Sequence, residues 1–294
     1  MQTCSEIKAI LAGAGLSPNK RLGQCFMIDK NLLAKVIELA SPGADRTVLE
    51  VGPGTGTLTE ELLDRAGRVV AAELDRGLAE VVRNRFADLD NFTLIEGDVL
   101  AGKHELSGEV KSQLGASADL IANLPYNIAT PLIAQCLIES WRAVCANRAD
   151  SVRFDSLTFT VQQEVATRMT APPGGKLYGP ISVLVALLAR STVGPAIPPG
   201  AFWPAPKIAS RALRIDFDPD AAGAVRDVSV LSELVAMAFG QRRKQIGSIL
   251  RKSKSRFAPD LLAAALESAG IDPSSRAERI APEQFRQFAN AAAL

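Results

Sequence analysis

Short apolar runs alternate with helix-period segments through the first two-thirds of the chain, and this rhythm constrains the fold more than any other feature. Val48-Leu49-Glu50-Val51 reads as a strand, 57–65 as a helix, 69–73 as a strand and 76–86 as a helix. Strands follow at 92–95 and 119–122, then a helix at 130–140. Such an order builds a parallel sheet with helices on both faces. Later strands are expected at 157–161 and 211–217. After Asp218-Pro219-Asp220 the character changes: 228–239, 242–251, 259–268 and 282–293 all read as helices, with Gly270 placed to end the third. The expected fold class is α/β, with a first domain at 1–219 and a small all-helical C-terminal domain at 220–294.

Composition narrows the function. The 294 residues are 47% hydrophobic, enough to bury a core and to set disorder aside. A net charge of +1 means that any nucleic-acid-binding patch must be local. The four cysteines, Cys4, Cys25, Cys136 and Cys145, form no C-x-x-C pair, and the single histidine, His104, completes no zinc cluster. Reduced thiols, no metal site and a surface position for His104 are expected. The apolar run 181–189 is far shorter than the ~20 residues of a membrane span. The N-terminus carries no signal-peptide pattern. A soluble cytoplasmic monomer is the expectation.

Chemistry concentrates at strand ends. Glu50-Val51-Gly52-Pro53-Gly54-Thr55-Gly56 lies where a strand turns into a helix. Glycines there admit positive φ and let a ligand approach the backbone. A dinucleotide loop reads G-x-G-x-x-G. Here Thr57 holds the third glycine's place and the order is G-x-G-x-G, which suits S-adenosylmethionine better than NAD. Gly52 and Gly54 are the cofactor-contact candidates. Glu73 ends the second strand and can accept both ribose hydroxyls. Asp98 ends the third and can accept from the cofactor's adenine amino group. Each acid could instead serve only as a helix cap; their occurrence together at successive strand ends favours the cofactor.

Asn123-Leu124-Pro125-Tyr126 follows the fourth strand. An adenine amino group is a poor nucleophile because its lone pair is delocalised into the ring. The Asn123 side-chain oxygen and the Leu124 carbonyl can accept its two N–H bonds, and Pro125 stiffens the turn. Tyr126 offers a stacking face, worth ~1–3 kcal/mol in comparable sites. Related N-P-P-Y and D-P-P-Y motifs serve amino groups of glutamine or DNA bases, so the motif indicates an amino target more firmly than RNA.

With these motifs in place the chain resembles the bacterial small-subunit (16S) rRNA adenine dimethyltransferase family (KsgA/RsmA type). The likeness also rests on Arg21-Leu22-Gly23-Gln24-Cys25-Phe26-Met27, Val161 to Arg168, Phe202-Trp203-Pro204-Ala205-Pro206-Lys207-Ile208 and Phe239-Gly240-Gln241-Arg242-Arg243-Lys244, and so spans nearly the whole chain. It implies a Rossmann-like class I methyltransferase sheet and a helical C-terminal domain. The implied reaction is dimethylation of two adjacent adenines in the 3′-terminal hairpin loop of 16S rRNA. The implied cofactor contacts are Cys25, Met27, Gly52, Glu73, Asp98 and Asn123, with Phe202 stacking on the target base opposite Tyr126. Cys25 stands where the family has His or Asn, Met27 where it has Leu, Ala209 where it has Asp, and Gly240 where Asn or Ser is commoner.

Between Gln241 and Arg256 lie Arg242, Arg243, Lys244, Arg251, Lys252, Lys254 and Arg256 with no acid among them. This is a local footprint for phosphates, or simply a solvated face. Lys20, Arg21 and Arg168 could extend it. Three further readings stay open: a large-subunit rRNA adenine methyltransferase of the antibiotic-resistance type, a mainly non-catalytic ribosome-assembly factor, and, more distantly, a dehydrogenase.

Overall fold

Five parallel strands form the centre of the molecule, and their order explains where a ligand can sit. The computed structural model describes residues 1–19, 22–102, 105–125, 127–252 and 255–293. Lys20, Arg21, His104, Tyr126 and Lys254, singled out above, lie outside the described residues.

The chain opens with α1 (Cys4–Gly13), β1 (Phe26–Met27), α2 (Lys30–Ala40), β2 (Thr47–Val51) and α3 (Thr57–Leu63). It continues through β3 (Arg68–Glu73), α4 (Arg76–Phe86), β4 (Phe92–Glu96), α5 (Gly108–Leu114), β5 (Ser117–Asn123) and α6 (Ala129–Val144). Next come β6 (Arg153–Gln162), α7 (Gln163–Met169), α8 (Pro180–Leu188), β7 (Ala189–Ile197), β8 (Phe202–Trp203) and β9 (Ser210–Phe217). The helices α9 (Pro219–Gly223), α10 (Val228–Gly240), α11 (Ile246–Lys252), α12 (Pro259–Ser268) and α13 (Pro282–Ala292) complete it.

The main sheet has the order β4-β3-β2-β5-β6-β9-β7. β4, β3, β2, β5 and β6 pair in parallel, while β9 runs antiparallel to both β6 and β7. Val48, Leu49, Leu120 and Ile121 are all 0% exposed, as expected for parallel strands covered on both faces. From β2 the chain builds outward to β3 and β4, then returns to place β5 on β2's other side. That reversal opens a crevice beyond the carboxyl ends of β2 and β5, the usual ligand position in open α/β sheets. The expected α/β fold with a parallel central sheet is therefore present.

The apolar run at 181–189 is the buried helix α8, started by Pro180 at its first position. It is followed directly by β7, which the apolar pattern did not mark as a strand. β7 contains Gly194-Pro195, and its pairing with β9 shifts register between Val193 and Ala196. An edge strand tolerates such a break because its outer backbone groups have no partner to lose. Among the described residues, no helix is long and apolar enough to cross a membrane.

The helix expected at 242–251 is shorter. Gln241 has φ −129° and ψ 57°, which ends α10. Lys244 N–H closes a turn on the Gln241 carbonyl at 2.8 Å, and helix resumes only at Ile246. The division at residue 219 marks a change of element type, not a gap in packing. Leu137 and Trp141 of α6, Leu184 and Leu188 of α8, Leu231 and Leu234 of α10 and Phe285 and Phe288 of α13 share one apolar core.

Candidate active site

At the crevice, Cys25, Met27, Gly52, Gly54, Glu73, Asp98, Asn123, Leu124 and Pro125 line a single cavity. They arrive from four directions: the β1 segment, the β2–α3 loop, the ends of β3 and β4, and the end of β5. The structure thus brings together every expected cofactor residue and three of the five expected catalytic ones.

The β2–α3 loop is shaped by its glycines. Gly52 has φ +71°, and a Cβ there would sit 3.5 Å from Pro125 Cγ. The loop and the β5 turn are therefore in direct contact. Gly56 caps α3 with φ +83°, and a Cβ would lie 2.4 Å from the Phe86 ring. Glu73, 6% exposed, holds the loop from the side. Its Oε2 accepts from Gly54 N–H at 3.2 Å and its Oε1 from Asp75 N–H at 2.9 Å. Burial raises its pKa above the usual carboxylate value. A carboxylate has about four lone-pair sites, so Glu73 keeps capacity toward a ligand. Asp98 is exposed at the cavity rim, and its Oδ1 accepts from Leu100 N–H at 2.9 Å.

Asn123 is clamped. Its Nδ2 donates to the Cys25 carbonyl at 2.9 Å, and its Oδ1 accepts from the Thr160 hydroxyl. The side-chain oxygen retains a second lone pair. Cys25 thus contributes through its backbone; burial raises its thiol pKa.

Phe202 is 2% exposed and packs in one cluster with Met27, Leu33, Val36, Ile37 and Ile197; it is not itself part of the cavity lining. In the β1–β8 pair Met27 lies opposite Phe202 and Phe26 opposite Trp203. Residues directly opposite share a face, so Phe202 sits beside the cavity-lining Met27, while Trp203 stacks on Phe26 with ring centroids 6.3 Å apart. Arg242, Arg243, Lys244, Arg251 and Lys252 lie on α11 and the turn before it, not on the cavity wall. Arg242 donates to the Gly175 carbonyl at 3.2 Å, while Arg243, Lys244, Arg251 and Lys252 are exposed.

Sequence reasoning passed over Glu50. It lines the cavity at 1% exposure, and its Oε2 has no hydrogen-bond partner among the described residues. Burial, together with the nearby Glu73, pushes its pKa up to about 8. A carboxylate directly before a glycine loop was the available signal. S-Adenosylmethionine fits this lining. The glycine loop admits close approach, acids line the wall, and an unpaired buried carboxyl oxygen offers an acceptor to a cationic ligand. Its sulfonium supplies an electrophilic methyl group.

The family described as "Ribosomal RNA adenine dimethylase" matches residues 15–294. The chain is 39% identical over 290 residues to a ribosomal RNA small subunit methyltransferase A of Magnetococcus marinus, covering 99% of this chain and 97% of that one. It is 34% identical over 282 residues to the protein of the same name in Alkaliphilus metalliredigens, covering 96% and 94%. Among solved structures, a dimethyladenosine transferase from Plasmodium falciparum shares the fold with TM-score 0.65 and 21% identity, over 90% of this chain and 95% of that one. The 23S rRNA methyltransferase ErmE shares it with TM-score 0.59 and 22% identity, over 92% and 100%. With a match over residues 15–294 and relatives 34–39% identical over nearly the whole chain, the chain belongs to the ribosomal RNA adenine dimethylase family.

Proposed function

We propose that this protein uses S-adenosylmethionine to dimethylate the exocyclic amino groups of two adjacent adenines in the 3′-terminal hairpin loop of 16S rRNA, within the small ribosomal subunit or its precursor. The observation that carries the reading is Asn123, fixed by Cys25 and Thr160 in the lining of the same cavity as the glycine loop, Glu73 and Asp98.

The residues divide the work. Glu73 accepts from the cofactor's ribose hydroxyls and Asp98 from its adenine amino group, while Gly52 and Gly54 give room for its amino-acid portion. Asn123 Oδ1 and the Leu124 carbonyl accept the two N–H bonds of the target amino group. This turns its lone pair toward the methyl donor, and positioning of this kind is the main catalytic resource. Thr160 and the Cys25 carbonyl keep the Asn123 carboxamide from rotating. Tyr126 supplies the stacking face for the base. An unpaired loop suits such a site because extruding its bases costs little. Arg243, Lys244, Arg251 and Lys252 contact phosphates, so that 220–294 serves docking and 1–219 serves chemistry. The protein works as a cytoplasmic monomer and takes part in subunit biogenesis.

The test is incubation with radiolabelled S-adenosylmethionine and undermethylated small subunits, followed by mapping of the label. Dimethyladenosine at two adjacent residues near the 3′ end is the expected result. Label in large-subunit RNA instead would replace the substrate assignment. Tight subunit binding without label would leave an assembly factor.

A further inference from the structure

The family match begins at residue 15, yet the chain before it reaches into the glycine loop. Gln2 is 6% exposed. Its Nε2 donates to the Thr55 carbonyl at 2.8 Å. Its Oε1 accepts from the Thr55 hydroxyl at 2.6 Å and from the Thr57 hydroxyl at 3.0 Å. Both threonines line the cavity and are nearly buried, at 1% and 7% exposure. Thr57 is the first residue of α3, so one carboxamide spans the junction between loop and helix.

Gln2 is itself held in place. Thr3 caps α1 by accepting from Glu6 N–H at 3.3 Å, and Glu6 accepts in return from Thr3 N–H at 2.6 Å. Ile7 and Leu11, 0% and 2% exposed, anchor α1 against Phe26 and Leu78. Phe26 in turn lies 3.0 Å from where a Cβ on Gly54 would be. The helix outside the family match therefore braces the loop by side chain and by packing.

Amide chemistry suits the position, because a carboxamide donates to a carbonyl from its nitrogen and accepts from hydroxyls at its oxygen without carrying charge. A glycine-rich loop loses more backbone freedom on ordering than any other. A contact that orders it before the ligand arrives removes that cost from binding. We propose that Gln2 is a positioning residue for the methyl donor, pre-ordering the Gly52–Gly56 loop through Thr55 and Thr57. The proposal rests on the assignment of that loop to S-adenosylmethionine.

Calorimetric titration of the full-length protein with S-adenosylmethionine tests it. Gln2→Ala should raise Kd on the order of tenfold, the effect of leaving buried hydroxyls without their acceptor. KM for S-adenosylmethionine should rise in parallel, with kcat at saturating cofactor unchanged. Gln2→Leu, which fills a similar volume without hydrogen-bonding groups, should raise Kd by a similar factor. Circular dichroism confirms that each variant is folded. A wild-type Kd in folded Gln2→Ala or Gln2→Leu, or a fall in kcat with KM unchanged, would overturn the role of Gln2. A wild-type protein that does not bind S-adenosylmethionine would overturn the loop assignment, and this proposal with it.

Discussion

Asn123 shows what a single side chain needs in order to act. Its carboxamide is gripped at both ends, by the Cys25 carbonyl and the Thr160 hydroxyl, and only then can its free lone pair be aimed. Asn123→Ala should lower the methylation rate by roughly 10²–10³, the scale for losing one preorganised hydrogen-bonding group. The check is single-turnover methylation of undermethylated subunits, and full activity would remove the role given to Asn123. Glu50 makes a prediction of a different kind. It stays protonated in the fold up to about 8, whereas a free carboxyl ionises near 4.5. Between those values the unfolded chain binds fewer protons than the native one, so stability falls as pH rises through the window. Burial of Glu73 acts in the same direction. Melting temperatures of the ligand-free protein should therefore decline across that range, and Glu50→Gln should flatten the decline. Equal slopes for the two proteins would assign the effect elsewhere.

Elements set what these residues can reach. The start of α3 depends on Gly56, whose positive φ and contact with Phe86 leave no room for a side chain. Gly56→Ala should cost about 1–3 kcal/mol of stability, the usual range for strain at such a position. Urea denaturation measures it, and an unchanged midpoint would show that the loop adapts. At the other end of the chain, α11 and its preceding turn carry four exposed cations, Arg243, Lys244, Arg251 and Lys252. If they meet phosphates, removing one cation should reduce the slope of log K against log salt by about 0.7–0.9. Arg251→Gln and Lys252→Gln, assayed for RNA binding over a salt series, decide this. A weaker affinity with an unchanged slope would point to a structural role.

At the scale of the whole molecule, one apolar core runs from α6 and α8 beside the sheet into α10 and α13. Polar contacts seal the seam. Trp141 Nε1 donates to the carbonyls of Ala222 and Val225, each at 3.1 Å, and the fully buried Tyr178 hydroxyl donates to the Ile280 carbonyl at 2.9 Å. The Tyr178 ring meets Phe239, and Phe239 meets Phe285. Thermal unfolding should accordingly be one cooperative transition. Tyr178→Phe should lower stability by about 1–3 kcal/mol by leaving a buried carbonyl unpaired. Two resolved transitions in calorimetry would instead make the helices after Asp218 an independent unit.

The sequence by itself determined the β-α rhythm, the glycine loop, the acids at strand ends and the motif at Asn123. Each is carried by residues close together in the chain, where period and turn chemistry act locally. It also carried the resemblance that the family match bears out. It did not reveal β7, because Gly194-Pro195 interrupts the apolar pattern that an edge strand does not need. Nor did it show that Phe202 faces inward, since which face of a two-residue strand is buried depends on what packs above it. The partners of Asn123 are 98 and 37 residues away, and those of Gln2 are 53 and 55 residues away. Only the tertiary structure decides such contacts, because a hydrogen bond across that separation leaves no period in the chain.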